Sequence, residues 1–329
     1  MRNNLFIIIF STFSLAVNLE LTKQNPSIEN SRIAWGTEVE SINEYPFNIN
    51  LVASFGSNGS PFCSASLIDV EWLVTAAHCA ETTQDYLDWG ATIYAVMGTT
   101  NIYNPSEQTF ESNQILEIFT HPEYSVQTLQ NDIAVFKIEP VQFNEGIQPI
   151  LLSNIRPEHG SFAKITGYGS TENYSGEGFL REASMIIYDE DIAQPDLFYG
   201  TGLEVNGNLP SACPGDSGGP LFILNDMDEF ELIGVSSFIL GDCVNNSYTG
   251  FQDVAYHLDW INSTTGIFIS QAGDVNQDGD VNVLDVVSMV GYILGSQEYN
   301  DTELLLSDYN QDGFVNVLDV VAIVQIILE

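Results

Sequence analysis

A gap-free repeat near the C-terminus restricts the fold of this 329-residue chain more than any other feature of its sequence. Residues 273–294 align with residues 307–328 at a spacing of 34 residues, and 15 of the 22 paired positions are identical. Self-similarity at a fixed period marks one structural unit that is used twice. We therefore expect residues 273–329 to form a separate domain with two equivalent halves.

Each half of the repeat contains a loop of 12 residues that is rich in oxygen ligands. Side chains at positions 1, 3, 5, 9 and 12, with the backbone carbonyl at position 7, suit a hard cation, and a glycine at position 6 permits the sharp turn. The sequence predicts two Ca²⁺ ions, a helix after each loop at residues 286–294 and 320–328, and no convincing helix before either loop. The predicted ligand positions are Asp274, Asn276, Asp278, Asp280, Asn282 and Asp285, then Asp308, Asn310, Asp312, Phe314, Asn316 and Asp319.

This duplication of a loop followed by a helix resembles the dockerin domain. The resemblance implies binding to a cohesin domain on a scaffold protein. Loop positions 10 and 11, which often contribute to partner recognition in dockerins, are Val283 and Leu284 in the first half and Val317 and Leu318 in the second. The simpler alternative is a calcium-stabilised tail without a partner, since so small a unit without cysteine needs another source of stability.

The charge of the chain argues against polyanionic partners. It has 45 acidic and 7 basic residues, a formal net charge of −38, and such a surface repels nucleic acid and anionic membranes. Residues 271–329 hold 11 acidic residues and no Lys or Arg. That imbalance is typical of a cation-binding module.

Residues 33–264 consist of short apolar segments separated by Gly, Asn, Pro and Ser. Segments at 47–55, 93–97, 133–138 and 232–238 are examples, and this pattern predicts an all-β sandwich or barrel. A terminal helix is predicted at residues 253–262, and residues 265–272 form a plausible linker.

The N-terminal residues predict export. Arg2 is followed by an apolar segment at 5–17 with small residues at 14–16, so residues 1–16 are interpreted as a signal peptide and 17–32 as a propeptide or spacer. The apolar segment is too short to span a membrane comfortably, and no other stretch approaches that length. An even number of cysteines in an exported chain predicts disulfides. The four cysteines, Cys63, Cys79, Cys213 and Cys243, permit three pairings.

Three separated segments contain residues suited to nucleophilic catalysis: LVTAAHC at 73–79, NDIAV at 131–135 and CPGDSGGP at 213–220. A serine hydroxyl needs a base within hydrogen-bond reach, and that base needs orientation. His78 suits the base and Asp132 suits the orienting group. Ser217 lies among glycines, where the N–H groups of Gly215 and Ser217 are predicted to stabilise an oxyanion.

Together these motifs resemble the trypsin/chymotrypsin-like serine peptidases, over residues 33 to about 262. The resemblance implies a double antiparallel β-barrel with six strands in each barrel, a Ser-His-Asp acyl-enzyme mechanism and no cofactor for catalysis. It also implies disulfides between Cys63 and Cys79 and between Cys213 and Cys243.

The resemblance extends to activation by proteolysis. It implies cleavage after Arg32, which would free the amine of Ile33 to pair with Asp216 beside the nucleophile. Ala34-Trp35-Gly36 differs from the family pattern, which usually has a valine and two glycines at these positions.

The primary specificity pocket is also interpreted through the resemblance. Ser211 takes the position at the pocket base where an aspartate would select Lys or Arg, and Ser237 and Phe238 resemble the segment that pairs with substrate. Ile239 and Thr249 stand where members with open pockets have glycines. We expect a shallow, elastase-like pocket that accepts small or medium aliphatic residues before the cleaved bond.

The sequence is compatible with three functions. The leading hypothesis is an endopeptidase of protein or peptide substrates, extracellular or attached to a cell surface through its dockerin. The alternative is a catalytically weak peptidase fold that serves as a binding or adhesion component. A polysaccharide-degrading enzyme is suggested only by the proteins that usually carry dockerins, and no paired-carboxylate motif supports it.

Overall fold

A computed structural model of the chain describes residues 7–8, 33–56, 58–105, 107–171, 178–189, 194–225, 228–244, 248–267, 273–276, 281–310 and 313–328. The chain divides into two compact units, Met1–Thr265 and Gly266–Glu329, which are described separately. The predicted signal peptide, the propeptide and Arg32 lie outside the described residues except for residues 7–8, as does most of the predicted linker.

The first unit is built mainly of β-strands. These are β1 (Ile7–Ile8), β2 (Thr37–Glu38), β3 (Asn48–Phe55), β4 (Asn58–Asp69), β5 (Trp72–Thr75), β6 (Thr92–Met97), β7 (Glu111–Thr120), β8 (Ala134–Ile138), β9 (Leu151–Leu152), β10 (Phe162–Gly167), β11 (Arg181–Tyr188), β12 (Leu197–Gly202), β13 (Pro220–Leu224), β14 (Phe230–Leu240) and β15 (Tyr248–Asp253). Its helices are a short 3₁₀ turn at Ile42–Glu44, α1 (Ala77–Asp88) and α2 (Val254–Thr265).

The strands close into two antiparallel barrels, each with six strands. The first runs in the order β3-β4-β5-β8-β7-β6. The second runs β14-β13-β10-β11-β12-β15 and is closed by pairing of β14 with β15. The short strands β1 and β9 add to β14, and β2 adds to β11. The predicted all-β double barrel is confirmed.

The barrel interiors follow from the alternation of side chains along each strand. In β11, Ala183, Met185 and Ile187 are buried while the residues between them are partly exposed. They join the core cluster of the second barrel, which also contains Phe198 and Phe251. The predicted strands agree with the observed ones to within a few residues at each end.

Helix α1 is not predicted from the sequence. Its residues include two threonines, a histidine and a cysteine, which have modest helix propensity. One face, with His78, Cys79 and Thr83, is buried against the first barrel, so packing stabilises the helix where propensity does not. Helix α2 is predicted, and it extends three residues beyond the predicted end.

The second unit contains the helices α3 (Val283–Ile293), α4 (Asp301–Ser307) and α5 (Val317–Leu328). Helices α3 and α5 pack around Val275, Met289 and Ile323, none of which is exposed. The expectation that no helix precedes either loop is wrong for the second loop, since α4 ends directly before it.

Helices α3 and α5 also begin three residues earlier than predicted. Asn282 Oδ1 accepts a hydrogen bond from Leu284 N at 2.8 Å, and Asp285 Oδ2 accepts one from Asn282 N at 2.8 Å. This reciprocal cap satisfies donors of the first turn. The second half has the same arrangement with Asn316 and Asp319.

Candidate active site

The first barrel places a histidine beside a buried aspartate. His78 lies in the first turn of α1, directly after β5, and Asp132 lies two residues before β8. Strands β5 and β8 pair with Thr75 opposite Ala134, which brings the two side chains together. Asp132 Oδ1 accepts a hydrogen bond from His78 N at 2.8 Å, and Asp132 Oδ2 accepts one from His78 Nδ1 at 2.8 Å. Because Nδ1 carries the proton, Nε2 is left as the basic nitrogen.

A second side chain, that of Ser237, donates a hydrogen bond to this aspartate. Ser237, predicted to lie in the substrate-pairing segment, also donates its hydroxyl to Asp132 Oδ2. The two residues are 105 positions apart, so no local pattern reveals the contact. Asp132 is fully buried, and its carboxylate is held by hydrogen bonds from His78 and Ser237.

The serine loop is held between the two barrels. Ser64 N of β4 donates to Ser217 O at 2.7 Å, and Gly218 N donates to Ser236 O of β14 at 2.7 Å. Ser64 Oγ also donates to Gly215 O at 2.8 Å. The loop is therefore fixed on one side by β4 and on the other by β14.

The hydroxyl of Ser217 has no hydrogen-bond partner in the described part of the chain. Within the described residues, Ser217 Oγ is buried and makes no hydrogen bond, including none to His78 Nε2. Cys79 Sγ lies 3.6 Å from His78 Nε2 and 3.6 Å from Ser217 O, so both residues lie close to the same sulfur. An unsatisfied buried hydroxyl is costly, and such groups occur at reactive sites.

The backbone of this loop requires glycine at its centre. Gly215 has φ +98°, and a Cβ there would lie 2.9 Å from Gly169 Cα. Neither Gly215 N nor Ser217 N donates a backbone hydrogen bond in the described part of the chain. Both donors are therefore available for an oxyanion.

The carboxyl group next to the serine is buried in a cradle of backbone. Asp216 Oδ2 accepts a hydrogen bond from Cys213 N at 2.9 Å, and Oδ1 accepts one from Gly169 N at 2.8 Å. A Cβ at Gly167 would come within 2.1 Å of this carboxyl, and one at Gly169 within 2.6 Å. Burial raises the pKa of Asp216 to about 7.

The segment predicted to be the new N-terminus lies in the second barrel. Ile33 is fully buried in the cluster that contains Ala212 and Cys213, and Ser211 N donates to Ala34 O at 3.3 Å. Trp35 has φ +63°, a conformation that favours glycine. Its indole Nε1 donates to Val244 O at 3.3 Å, which shows how the bulky residue is accommodated.

The residues predicted to form the specificity pocket come together. Ile239 and Thr249 are opposite each other in the β14–β15 ladder, and Ser211 Oγ is 3.3 Å from Thr249 Oγ1. Thr249 Oγ1 also accepts a hydrogen bond from Ala212 N at 3.3 Å. Two β-branched side chains thus occupy the space beside the serine at the predicted pocket base, and both are buried. The ring of Phe238 packs against Gly250. A Cβ on residue 250 would lie 2.7 Å from this ring, so only glycine fits there.

The protonation of the histidine is governed by burial and by acidic neighbours. Burial opposes the charged imidazolium, but the charge and hydrogen bond of Asp132 outweigh it, with a further contribution from Glu81. The pKa of His78 is therefore raised above its ordinary value. Glu81 is exposed at its surface, but partial desolvation of its carboxyl, followed by the charge of Asp132, raises its pKa.

The cysteines pair as the resemblance implied, Cys63 with Cys79 and Cys213 with Cys243. Cys63, His78 and Cys79 bring three ligand-type atoms within 4.8 Å of one another. Two of these atoms are the sulfurs of one disulfide and are not thiolates, so the cluster is not suited to a metal ion.

The second unit brings together the described members of the predicted calcium loops. Asp274, Asp285 and Asp319 are fully buried, and the unit contains no Lys or Arg. Asp285 Oδ1 accepts a hydrogen bond from Asn276 N at 3.1 Å, and Asp319 Oδ1 accepts one from Asn310 N at 3.1 Å. A unit that buries three carboxylates and contains no Lys or Arg fits a bound divalent cation.

The remaining members of these loops are placed as follows. Asp308 Oδ2 accepts a hydrogen bond from Gly313 N at 2.8 Å, and Phe314 has an exposed side chain, so that only its carbonyl suits a ligand. Asp278, Asp280 and Asp312 lie outside the described residues. The four residues predicted to contact a partner are all exposed: Val283, Leu284, Val317 and Leu318.

No helix among the described residues has the length and apolar character needed to cross a bilayer.

Each of the two units matches a known protein family. Residues 34–261 match the family model for trypsin, and residues 272–328 match the model for the dockerin type I domain. A collagenase of Hypoderma lineatum is 29% identical over 78% of this chain and 97% of its own length. Serine protease SSP1 of Scolopendra subspinipes is 29% identical over 72% of this chain and 84% of its own. Transmembrane protease serine 11G of Rattus norvegicus is 30% identical over 76% of this chain and 59% of its own.

The trypsin model covers well over half of the chain, and the buried His78–Asp132 pair beside the serine loop lies within the matched region. The chain therefore belongs to the trypsin family and is a serine-type endopeptidase whose catalytic domain is followed by a dockerin type I domain.

Proposed function

We propose that the protein is a secreted endopeptidase that cleaves after small aliphatic residues and is held on a cohesin-bearing scaffold by its dockerin. The observation that carries the catalytic part is the buried hydrogen-bonded pair of His78 and Asp132 beside the unpartnered hydroxyl of Ser217. These residues have the types and the environment that an acyl-enzyme mechanism needs.

In the proposed mechanism, Ser217 Oγ attacks the carbonyl carbon of the substrate while His78 Nε2 accepts its proton. Asp132 stabilises the resulting imidazolium through the Nδ1 hydrogen bond. The free N–H groups of Gly215 and Ser217 stabilise the oxyanion. His78 then protonates the leaving amine, and water hydrolyses the acyl-enzyme by the same route.

The proposed activation uses the cradle around Asp216. Cleavage after Arg32 produces an ammonium group on Ile33, a residue buried in the same cluster as Cys213. A carboxyl whose pKa is raised to about 7 by burial gains strongly from a neighbouring cation. Removal of residues 1–16 as a signal peptide would also take β1 away from Ile239 and Leu240, leaving that edge of β14 open to a substrate strand.

The proposed preference for small residues before the cleaved bond rests on the pocket contents. The base is Ser211, so no carboxylate is available there to bind Lys or Arg, and Ile239 and Thr249 fill the adjoining space. A large aromatic residue would have to displace these packed side chains. The enzyme should therefore not activate itself efficiently at Arg32.

The proposed docking function depends on two Ca²⁺ ions, one in each loop. The predicted ligands that are described lie in matching positions of the two halves, and the hydrogen bonds to Asp285 recur at Asp319. Because the Val-Leu pairs also match, a cohesin could bind in two orientations related by a half turn.

A pull-down tests this docking surface. Changing both Val-Leu pairs to Asp should abolish recovery of the cohesin partner. Undiminished recovery would place the recognition surface elsewhere.

Covalent labelling distinguishes this endopeptidase from the alternative, a catalytically weak peptidase fold that serves as a binding component. Activated full-length protein is treated with a fluorophosphonate probe, and Ser217→Ala is the matched control. Labelling of the wild type alone supports the endopeptidase. A peptide-library profile of the same activated protein then tests specificity, since strong cleavage after Lys or Arg would contradict the proposed pocket.

A further inference from the structure

An aromatic surface lies at the C-terminal end of α1, the helix that carries His78, and has no role in the mechanism above. Tyr86 of α1 is its centre, with ring centroids 5.1 Å from Phe62, 6.2 Å from Phe55 and 5.7 Å from Trp89. Phe62 is nearly buried beneath it, whereas Phe55 and Trp89 are 45% and 66% exposed. Exposed aromatic side chains grouped around one shared ring form an apolar patch, and such patches often mark binding sites.

Covalent connections fix the position of this surface relative to the site. Phe62 is adjacent to Cys63, which is bonded to Cys79, the residue after His78. The register shift between Leu51 and Val52 leaves Phe62 as the extra residue of a bulge in β4, without a partner on β3. A bulge redirects a side chain, and here the Phe62 ring lies against Tyr86.

The strand beneath the surface has a free edge that starts at the nucleophile. Strand β4 pairs with β3 from Asn58 to Ser66, but with β5 only from Ser66 to Asp69. In the described part of the chain, no strand pairs with the second edge of β4 between Asn58 and Cys63. Ser64 N on this edge donates to Ser217 O. The free edge therefore runs from the serine loop directly towards Phe62.

This arrangement assigns the two sides of a bound substrate. Ser217 lies between β14, which the proposed function gives to residues before the cleaved bond, and β4 on the opposite side. A chain that enters along β14 and crosses Ser217 must continue along β4. Since an extended chain advances about 3.3 Å per residue, the second to fourth residues after the cleaved bond reach the level of Phe62 and beyond.

We propose that Phe55, Tyr86 and Trp89 bind the part of a polypeptide substrate that follows the cleaved bond, and that they favour apolar and aromatic side chains there. This inference rests on the proposed endopeptidase function. Exposed aromatic rings supply large contact area for little loss of side-chain entropy, and such residues often dominate binding energy. The surface thus adds selectivity on the leaving side, separate from the pocket at Ser211.

The test compares two peptides with the same residues before the cleaved bond in assays with activated full-length protein. One has Leu and Phe at the second to fourth positions after the bond, and the other has Gly and Ser there. Wild type should cleave the apolar peptide with about tenfold higher kcat/KM. In Trp89→Ala, and independently in Phe55→Ala, that ratio should fall towards one.

The matched control is Phe162→Ala. Phe162 is 65% exposed, close to the value for Trp89, but lies on β10 of the second barrel. The control should keep the wild-type ratio. If both peptides are cleaved and neither surface variant changes the ratio, the aromatic surface has no role in substrate binding. If the wild type cleaves no peptide and takes up no fluorophosphonate, the endopeptidase proposal and this inference both fail.

Discussion

The two units of the chain stabilise buried carboxylates in different ways. In the catalytic unit two buried carboxylates are bonded to basic side chains: Asp132 to His78 at 2.8 Å, and Asp253 to Arg156 at 2.6 Å. In the C-terminal unit, Asp274, Asp285 and Asp319 are buried in a segment without any Lys or Arg. The first unit thus compensates these two carboxylates with its own basic side chains, while the proposed Ca²⁺ ions would compensate those of the second.

The apolar cores of the two units also differ, since the catalytic unit buries many more apolar residues than the C-terminal unit. The second barrel alone encloses a large cluster of buried apolar residues and the disulfide Cys213–Cys243. Among the described residues of the C-terminal unit, the fully buried cluster has three members, Val275, Met289 and Ile323. A unit of this size gains little from burial, so under the proposed function it would draw on the binding energy of Ca²⁺ to fold. Catalysis and docking should therefore respond to different perturbations.

Removing the catalytic groups should give the largest effect. Ser217→Ala, His78→Ala and Asp132→Asn should each reduce kcat by about ten-thousand-fold or more, as is typical of this family. The losses should not add, because the three groups act as one unit. Kinetics of single and double variants measure this, and a double variant far below either single one would contradict it. The calcium response of the C-terminal unit should be unaltered in all of them.

Removing calcium should affect the C-terminal unit and leave the catalytic unit unchanged. With chelator, backbone amides in α3, α4 and α5 should lose most of their protection from hydrogen exchange, because the clustered loop carboxylates then repel one another and oppose folding. Amides in the barrels should keep theirs. Hydrogen-exchange mass spectrometry of the full chain reads both units in one sample.

Single substitutions sharpen this comparison. Asp319→Ala should weaken the calcium-dependent protection of the second unit, whereas Glu298→Ala, which removes an exposed carboxylate outside both loops, should not. Equal protection with and without calcium would show that the unit folds without the ion. Equal effects of the two variants would show that calcium binding does not depend on the loop ligand.

The contrast between the units also explains what the sequence predicts well. The motifs around His78, Asp132 and Ser217 and the repeat at 273–328 are local, so the fold class and the candidate residues can be inferred from the amino-acid sequence alone. The hydrogen bond from Ser237 to Asp132 and the contact of Tyr86 with Phe62 join distant segments. No periodicity encodes such contacts, because they follow from the closure of the barrel.

Two helices escape prediction for different reasons. Helix α1 has weak propensity and is held by packing, so its own residues do not identify it. Helix α4 does carry a sequence signal: Asn300 caps it and Glu303 completes the capping box. Greater weight on that pattern, followed by three leucines, would predict the helix before the second loop.

Opening the specificity pocket should have an intermediate effect that is confined to the catalytic unit. The double variant Ile239→Gly and Thr249→Gly removes two packed side chains beside Ser211, so phenylalanine before the cleaved bond should gain about tenfold in kcat/KM relative to alanine. Tyr248→Ala changes an exposed neighbour of Thr249 and serves as the control. Peptides that differ only at this position provide the measurement. An unchanged ratio in the double variant would place the pocket elsewhere.

The smallest effect expected is a shift in the pH dependence of the catalytic unit. His78 acts as a base only when neutral, so kcat/KM falls as pH drops through its pKa. Burial lowers that pKa, but Asp132 and, to a lesser degree, Glu81 raise it above the ordinary value, so the acid limb lies at higher pH than an ordinary histidine would give. Glu81→Gln removes one negative charge, favours neutral His78 and should move the limb to lower pH. Because Glu81 is exposed, the shift should be about a few tenths of a pH unit and should shrink at high salt. Asp85→Asn, one turn farther along α1, should move the limb less. A limb that moves to higher pH in Glu81→Gln would show that Glu81 does not stabilise the imidazolium.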